Sequence, residues 1–202
     1  MTHMPSQFLG EARAFRNMVC AADRRVNAAT TAVCRPILKR FATRPQLRPG
    51  AMIDVTRAWR DTVSDDFTLD VQVRAHRQKG LSIAELRVAG VRWTDLSWTN
   101  AEAAPGISLV LMLLSTENSQ FTFTVSPVCN LLLHALARRF QRGDGRDAAA
   151  ILRDLRPLGA AIETTETEVP VSGGRWAGER VTARDNVNGV TVPLLHVLTF
   201  LH

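Results

Sequence analysis

The stretch Phe67-Thr68-Leu69-Asp70-Val71-Gln72-Val73-Arg74 alternates apolar with polar residues without a break. Successive side chains of a strand point to opposite faces, so this period of two marks a strand with one face buried and one wet. Downstream, Lys79-Gly80 supplies a turn, and residues 81–88 read as a strand pairing back, with a bulge expected where the alternation slips near Ala84 and Glu85. Gly90 is expected to turn the chain again into Val91, Trp93 and Leu96. Residues 107–114 form a continuous apolar run and 121–125 a second strand, joined by the polar turn Glu117-Asn118-Ser119.

Helical signals interrupt the strands at Ser126-Pro127, where serine is suited to a cap and proline to a first helical position. A helix is therefore expected from 127 to Phe140, stopped by Gly143-Asp144-Gly145, and a shorter one from Asp147 to Leu155, ended by Pro157 and Gly159. Strand patterning resumes over 161–171, 176–184 and 190–201, with turns at Gly173-Gly174 and Asn188-Gly189. The fold class is α+β: an antiparallel sheet of about 6–8 strands covered by two helices, with a long N-terminal helix.

That last helix is read from the other end of the chain. Phe8, Ala12, Phe15, Val19, Ala22, Val26, Ala29 and Val33 recur at alternating spacings of four and three, a helical stripe of about four heptads. Ser6 is placed to cap its start, and Pro36 is expected to end it shortly after Cys34. Arg44-Pro45-Gln46-Leu47-Arg48-Pro49-Gly50 cannot continue a helix, which divides the chain into a basic helical segment, 1–45, and an α+β body, 51–202. A short helix bearing Met52, Val55 and Trp59 is expected at the start of that body.

Charge follows the same division. Residues 1–50 carry nine Arg or Lys against Glu11 and Asp23, whereas the remaining 152 carry sixteen basic and seventeen acidic residues. The net +6 of the chain therefore originates entirely in its first fifty residues. Arg13, Arg16, Arg24 and Arg25 fall off the apolar stripe and, with Arg35, Lys39 and Arg40, form the candidate nucleic-acid-binding set. Only Phe8, Phe15 and Phe41 are aromatic there, and the first two belong to the stripe, so base stacking has little to draw on.

Other chemistry is thin. Asp54, Asp61, Asp65, Asp66 and Asp70 crowd together, and Asp70 followed by Glu85-x-Arg87 matches the order of a Mg²⁺-binding nuclease pair with arginine in place of lysine. Arginine does not give up a proton at neutral pH, so the base is missing. Cys129 near the expected helix start is a nucleophile candidate, but His134, five residues on, would point about 140° away around that helix. A helix-turn-helix over 128–156 has too long a turn and too many balancing acids. Gly173-Gly174-Arg175-Trp176-Ala177-Gly178 lacks the Lys-Ser/Thr ending of a phosphate loop.

Cys20, Cys34 and Cys129 show neither disulfide nor zinc spacing, no run approaches the roughly 20 apolar residues of a membrane span, and no secretory core is evident. A cytoplasmic protein without cofactor or metal is expected. An organellar transit segment would share the Arg/Ala-rich start, but Glu11, Asp23 and the regular stripe fit a structural helix better. No complete active site assembles, so the expected function is non-enzymatic binding or assembly, the basic helix contacting nucleic acid or an acidic protein surface. Two alternatives stand beside it: a protein-interaction subunit or homo-oligomer joined through the heptad stripe, and a metal-dependent phosphodiesterase using Asp70 and Glu85.

Overall fold

The computed structural model describes residues 5–43, 57–58, 60–61, 66–78, 81–94, 96–98, 106–117, 120–163, 165–185 and 191–202. Helix α1 spans Ser6–Thr43. Strands β1 (Thr68–Gln78), β2 (Leu81–Thr94), β3 (Leu96–Trp98), β4 (Gly106–Glu117) and β5 (Gln120–Leu131) follow. Helices α2 (Leu133–Arg142) and α3 (Ala148–Leu155) lead into a 3-10 helix (Arg156–Glu163), then β6 (Glu168–Val171), β7 (Gly174–Asp185) and β8 (Thr191–Leu201). The fold is α+β with a long N-terminal helix. Among the described residues no helix is long and apolar enough to cross a membrane.

The hydrogen-bonded path through the sheet is β1-β2-β4-β5-β8-β7-β3, with β6 paired to β7 beside it. The sheet is mixed rather than antiparallel, because β5 and β8 run parallel through Cys129↔Leu195, Asn130↔His196 and Leu131↔Val197. A parallel pair needs a crossover, and α2, α3, the 3-10 helix, β6 and β7 all lie in the connection between these two strands. The expected two-helix cover holds only in part. Helix α2 packs on β8, while α3 reaches β7 through the Trp176 indole N–H, which donates to the Asp154 carbonyl at 2.7 Å. The 3-10 helix supplies the contacts to β6 and β8.

The chain forms two compact units, one of Met1–Cys20, Val91–Val110 and Ser126–His202, the other of Ala21–Gly90 and Leu111–Val125. In the first, Trp176 and Phe200 meet edge to face at 4.9 Å between ring centroids, and Ile107, Leu109, Leu131, Leu136, Ile151 and Leu155 are fully buried. Phe15 of α1 lies edge-on to Phe140 of α2 at 6.5 Å. In the second, β1 and β2 form a hairpin in which Phe67 and Leu69 are buried while Asp70 and Gln72 are exposed, as the alternation of the opening stretch requires.

Several local expectations are corrected. Residues 126–131 continue β5, and helix α2 begins only at Leu133. Val128, Cys129, Asn130 and Leu131 are buried and three of them pair with β8, so sheet burial overrides the Ser-Pro helix signal; Pro127, with no N–H to donate, precedes that pairing. Gly90 makes no turn: β2 runs through it. The register at Ala84 and Glu85 is continuous, and the irregularity falls instead between Thr68 and Asp70. Only Glu168–Val171 of the expected 161–171 strand is extended, since the 3-10 helix reaches Glu163. Helix α1 passes through Pro36 to Thr43. Ala32, whose carbonyl loses its donor there, is exposed, as is Pro36, so water can satisfy it. Met52, Val55, Trp59, the 44–50 boundary and the turns at Lys79-Gly80 and Asn188-Gly189 lie outside the described residues.

Candidate functional site on the long helix

At about 100° per residue, Ala12, Phe15, Val19, Ala22 and Val26 occupy an arc of about 80° on α1. All five are buried, the most exposed at 4%. The stripe read from the sequence is therefore covered by the protein itself over this length. Arg13, Arg24, Arg35 and Lys39 fall within a second arc of about 80°, centred opposite the first. All four are exposed. Arg13, Arg24 and Arg35 stand eleven residues, or about three helical turns, apart in α1.

The acids of α1 lie off that arc. Glu11 accepts a hydrogen bond from Gln7 Nε2 at 3.3 Å and stands 3.9 Å from Arg146, whose guanidinium lies 5.2 Å from the centre of the Phe8 ring. Asp23 accepts from Asn27 Nδ2 at 3.0 Å. Of the other expected cations, Arg25 is exposed at the margin of the basic arc. Arg16 is half-buried and donates to Asn17 Oδ1 at 3.4 Å. Arg40 belongs to α1 by its backbone; its side chain is outside the described residues.

The remaining candidates are dispersed. Asp70 is exposed and accepts from Gln72 Nε2 at 2.8 Å. It stands opposite Ala89 in the β1–β2 register, whereas Glu85 stands opposite Arg74. Four residues of strand, about 13 Å, separate the two positions, too far for one Mg²⁺ to take both carboxylates directly. Asp61 pairs with Arg60 at 2.8 Å and Asp66 is exposed; Asp54 and Asp65 are outside the described residues. No group of three or more His, Cys, Asp or Glu is placed to hold a metal among the described residues.

Cys129 lies on β5 rather than at a helix start. It is fully buried, and burial pushes its thiol far above the usual range against a weaker opposing effect of Arg180. His134 is exposed on α2, with a pKa lowered by partial desolvation and then by Arg138 and Arg142. In the would-be helix-turn-helix, α3 spans eight residues and buries Ala150, Ile151, Asp154 and Leu155. The turn between β6 and β7 is Ser172-Gly173, closed by the Val171↔Gly174 pair, so the glycine-rich run is a hairpin with its turn one residue earlier than expected. Trp176 is core; the side chains of Trp93 and Trp98 are outside the described residues.

Two arrangements had no sequence signal, because their members are far apart in the chain. The first is ionic: Arg139 on α2 binds Asp154 on α3 with both side chains buried, and also donates to the carbonyls of Asp144 and Gly145 at 2.7 and 3.1 Å. The second is a polar row across four strands. Ser108 Oγ donates to Asn130 Oδ1 at 3.3 Å, Asn130 is the register neighbour of His196, and His196 Nδ1 stands 3.8 Å from Glu179 Oε1. Burial lowers the His196 pKa and Glu179 partly restores it. The buried Asn130 Nδ2 has no hydrogen-bond partner.

Comparison of the chain with protein families, with curated proteins and with solved structures finds no significant match.

Proposed function

We propose that this is a non-enzymatic binding or assembly protein whose helix α1 contacts nucleic acid or another acidic surface through Arg13, Arg24 and Arg35. The observation that carries the reading is the opposition of two faces on one helix, one buried and apolar, the other carrying exposed Arg13, Arg24 and Arg35 with neither of the helix's own acids, Glu11 and Asp23, on it. A cation isolated on a surface contributes little, but several on one face neutralise several phosphates and release their counterions together. With three such contacts, log K should fall against log[salt] with a slope of about −2 to −3. The reading puts the protein in the cytoplasm, in keeping with Cys129 being a free thiol.

The same geometry weakens the two rivals. A partner helix docking on the stripe would find Ala12 to Val26 already buried, and a phosphodiesterase would have to join Asp70 and Glu85 across four residues of strand. The test is a fluorescence-anisotropy titration of labelled nucleic acid, and of a labelled acidic polypeptide, at several salt concentrations. The protein is compared with its Arg13→Gln/Arg24→Gln/Arg35→Gln variant. Salt-steep binding that the variant loses is the expected result; no binding of either probe, or binding the variant retains, overturns the proposal.

A further inference from the structure

We infer that the parallel junction of β5 with β8 is an acid-sensitive seam, which protonation of His196 opens while β7 and β8 stay paired. The basic face of α1 plays no part in it.

The seam is short. β7 and β8 pair through ten residues of each strand, whereas β5 meets β8 at Cys129, Asn130 and Leu131 alone among the described residues. One further backbone bond, from Leu132 N to the Val197 carbonyl at 3.2 Å, closes its end. Parallel pairing is also slightly weaker per residue than antiparallel. Apolar burial holds the junction shut: Cys129, Leu131, Leu195 and Val197 are each 1% exposed or less.

Its centre is polar. Asn130 is buried and accepts from Ser108 Oγ, while its Nδ2 has no hydrogen-bond partner. A buried donor without an acceptor has lost its hydration for nothing, and opening the junction returns it to water. Opposite Asn130 stands His196, whose side chain is 14% exposed. A proton arriving there puts charge where the closed junction solvates it poorly.

Few groups face the imidazole. β7 supplies Glu179, its register partner, with Oε1 3.8 Å from Nδ1. β5 supplies the neutral Asn130 and β4, through it, the neutral Ser108. Of the cations on α2, which packs on β8, Arg139 binds Asp154, Arg142 donates to the Phe200 carbonyl, and Arg138 donates to His134 and Gln141. Arg156 of the 3-10 helix is exposed. Glu179 is itself 58% exposed, so water screens its pull. Burial outweighs it, and His196 in the folded chain takes up a proton only below its ordinary 6.5. Once the seam opens, the ring reaches water and regains that value. The open form then binds a proton that the closed form refuses, and between the two values the open population rises by up to about tenfold per pH unit of acidification.

Cys129 is the reporter, because it is fully buried and lies in the seam itself. In the full chain carrying Cys20→Ala and Cys34→Ala, dithiodipyridine exchanges its disulfide with the thiol that opening exposes and releases thiopyridone, read by absorbance. Hydrogen exchange of Gly174–Asp185, followed by mass spectrometry, reports opening of β7. Both rates are corrected for the intrinsic rate of the unfolded chain at each pH. Labelling at least about threefold faster at pH 5 than at pH 7.5 is expected, with β7 still protected and no acceleration in His196→Gln. Glu179→Gln removes the opposing pull, so its acceleration should be larger and continue to lower pH. Labelling that ignores pH, or that accelerates equally in His196→Gln, overturns the inference. So does loss of β7 protection in step with Cys129, which is global unfolding. Circular dichroism shows which variants fold; if His196→Gln does not, Glu179→Gln decides, and an acceleration no larger than that of the parent chain overturns the inference.

Discussion

Arg139 shows how much one side chain can be made to hold. It is fully buried, paired with a fully buried Asp154, bonded to two loop carbonyls and 5.6 Å from the centre of the Phe200 ring. Removing one member of such a pair strands the other charge in an apolar interior, so Arg139→Met should lower stability by about 3–5 kcal/mol. Adding Asp154→Leu removes the stranded charge, and the double variant should regain part of that loss in denaturant titration; a purely additive cycle would argue against the pairing. His196 gives a pH signature instead. Its ordinary value is 6.5, and burial lowers it in the folded chain against the opposing pull of Glu179. Below about pH 6.5 the unfolded chain therefore binds a proton that the folded chain lacks, and stability falls with acidification towards the folded-state pKa. His134, also lowered, works in the same direction. Wild type should lose more stability between about pH 7.5 and pH 5 than His196→Gln, and parallel losses would place the titration elsewhere.

At the scale of elements, legibility follows locality. The strand at 67–74, the α1 stripe and, to within one residue, the turn closed by Gly174 were readable because their signals sit within a few residues, as was α3, whose Asp147 cap accepts from Ala150 N at 2.7 Å. The turn also makes a sharp prediction. Gly174 has φ +147°, and a Cβ there would lie 2.2 Å from the Leu201 carbonyl oxygen and 2.8 Å from the Phe200 ring. Backbone cannot yield as a flexible side chain does, so Gly174→Ala should cost at least about 2 kcal/mol in thermal or chemical unfolding. What failed to be legible was set by partners distant in sequence. Ser126-Pro127 carries a sound local helix signal, yet the segment is a strand because β8, some sixty residues later, offers Cys129, Asn130 and Leu131 a parallel neighbour. Asn130, Ser108 and His196 became a row for the same reason, since no spacing within one segment announces a contact across separate strands.

For the whole molecule, the basic half of the candidate site was legible and the fate of its apolar half was not. Counting charges places the excess in the first fifty residues, and helical periodicity puts Arg13, Arg24 and Arg35 away from the stripe. Periodicity cannot say whether an apolar stripe meets its own chain or another. The burial of Ala12, Phe15, Val19, Ala22 and Val26 answers that, and changes how the function must be tested. Burying Phe15, Val19 and Val26 contributes about 1.5–3 kcal/mol each, a total comparable to the roughly 5–15 kcal/mol by which a domain exceeds its unfolded chain. Deleting residues 1–43 should therefore abolish cooperative unfolding rather than leave a folded protein that has lost its basic arm. Substituting Arg13, Arg24 and Arg35 by Gln, all exposed, should leave the unfolding free energy within about 0.5 kcal/mol of wild type. Differential scanning calorimetry on the two variants separates the possibilities: a truncated chain with a sharp, native-like transition would mean that α1 is an appendage and that its buried stripe stabilises little.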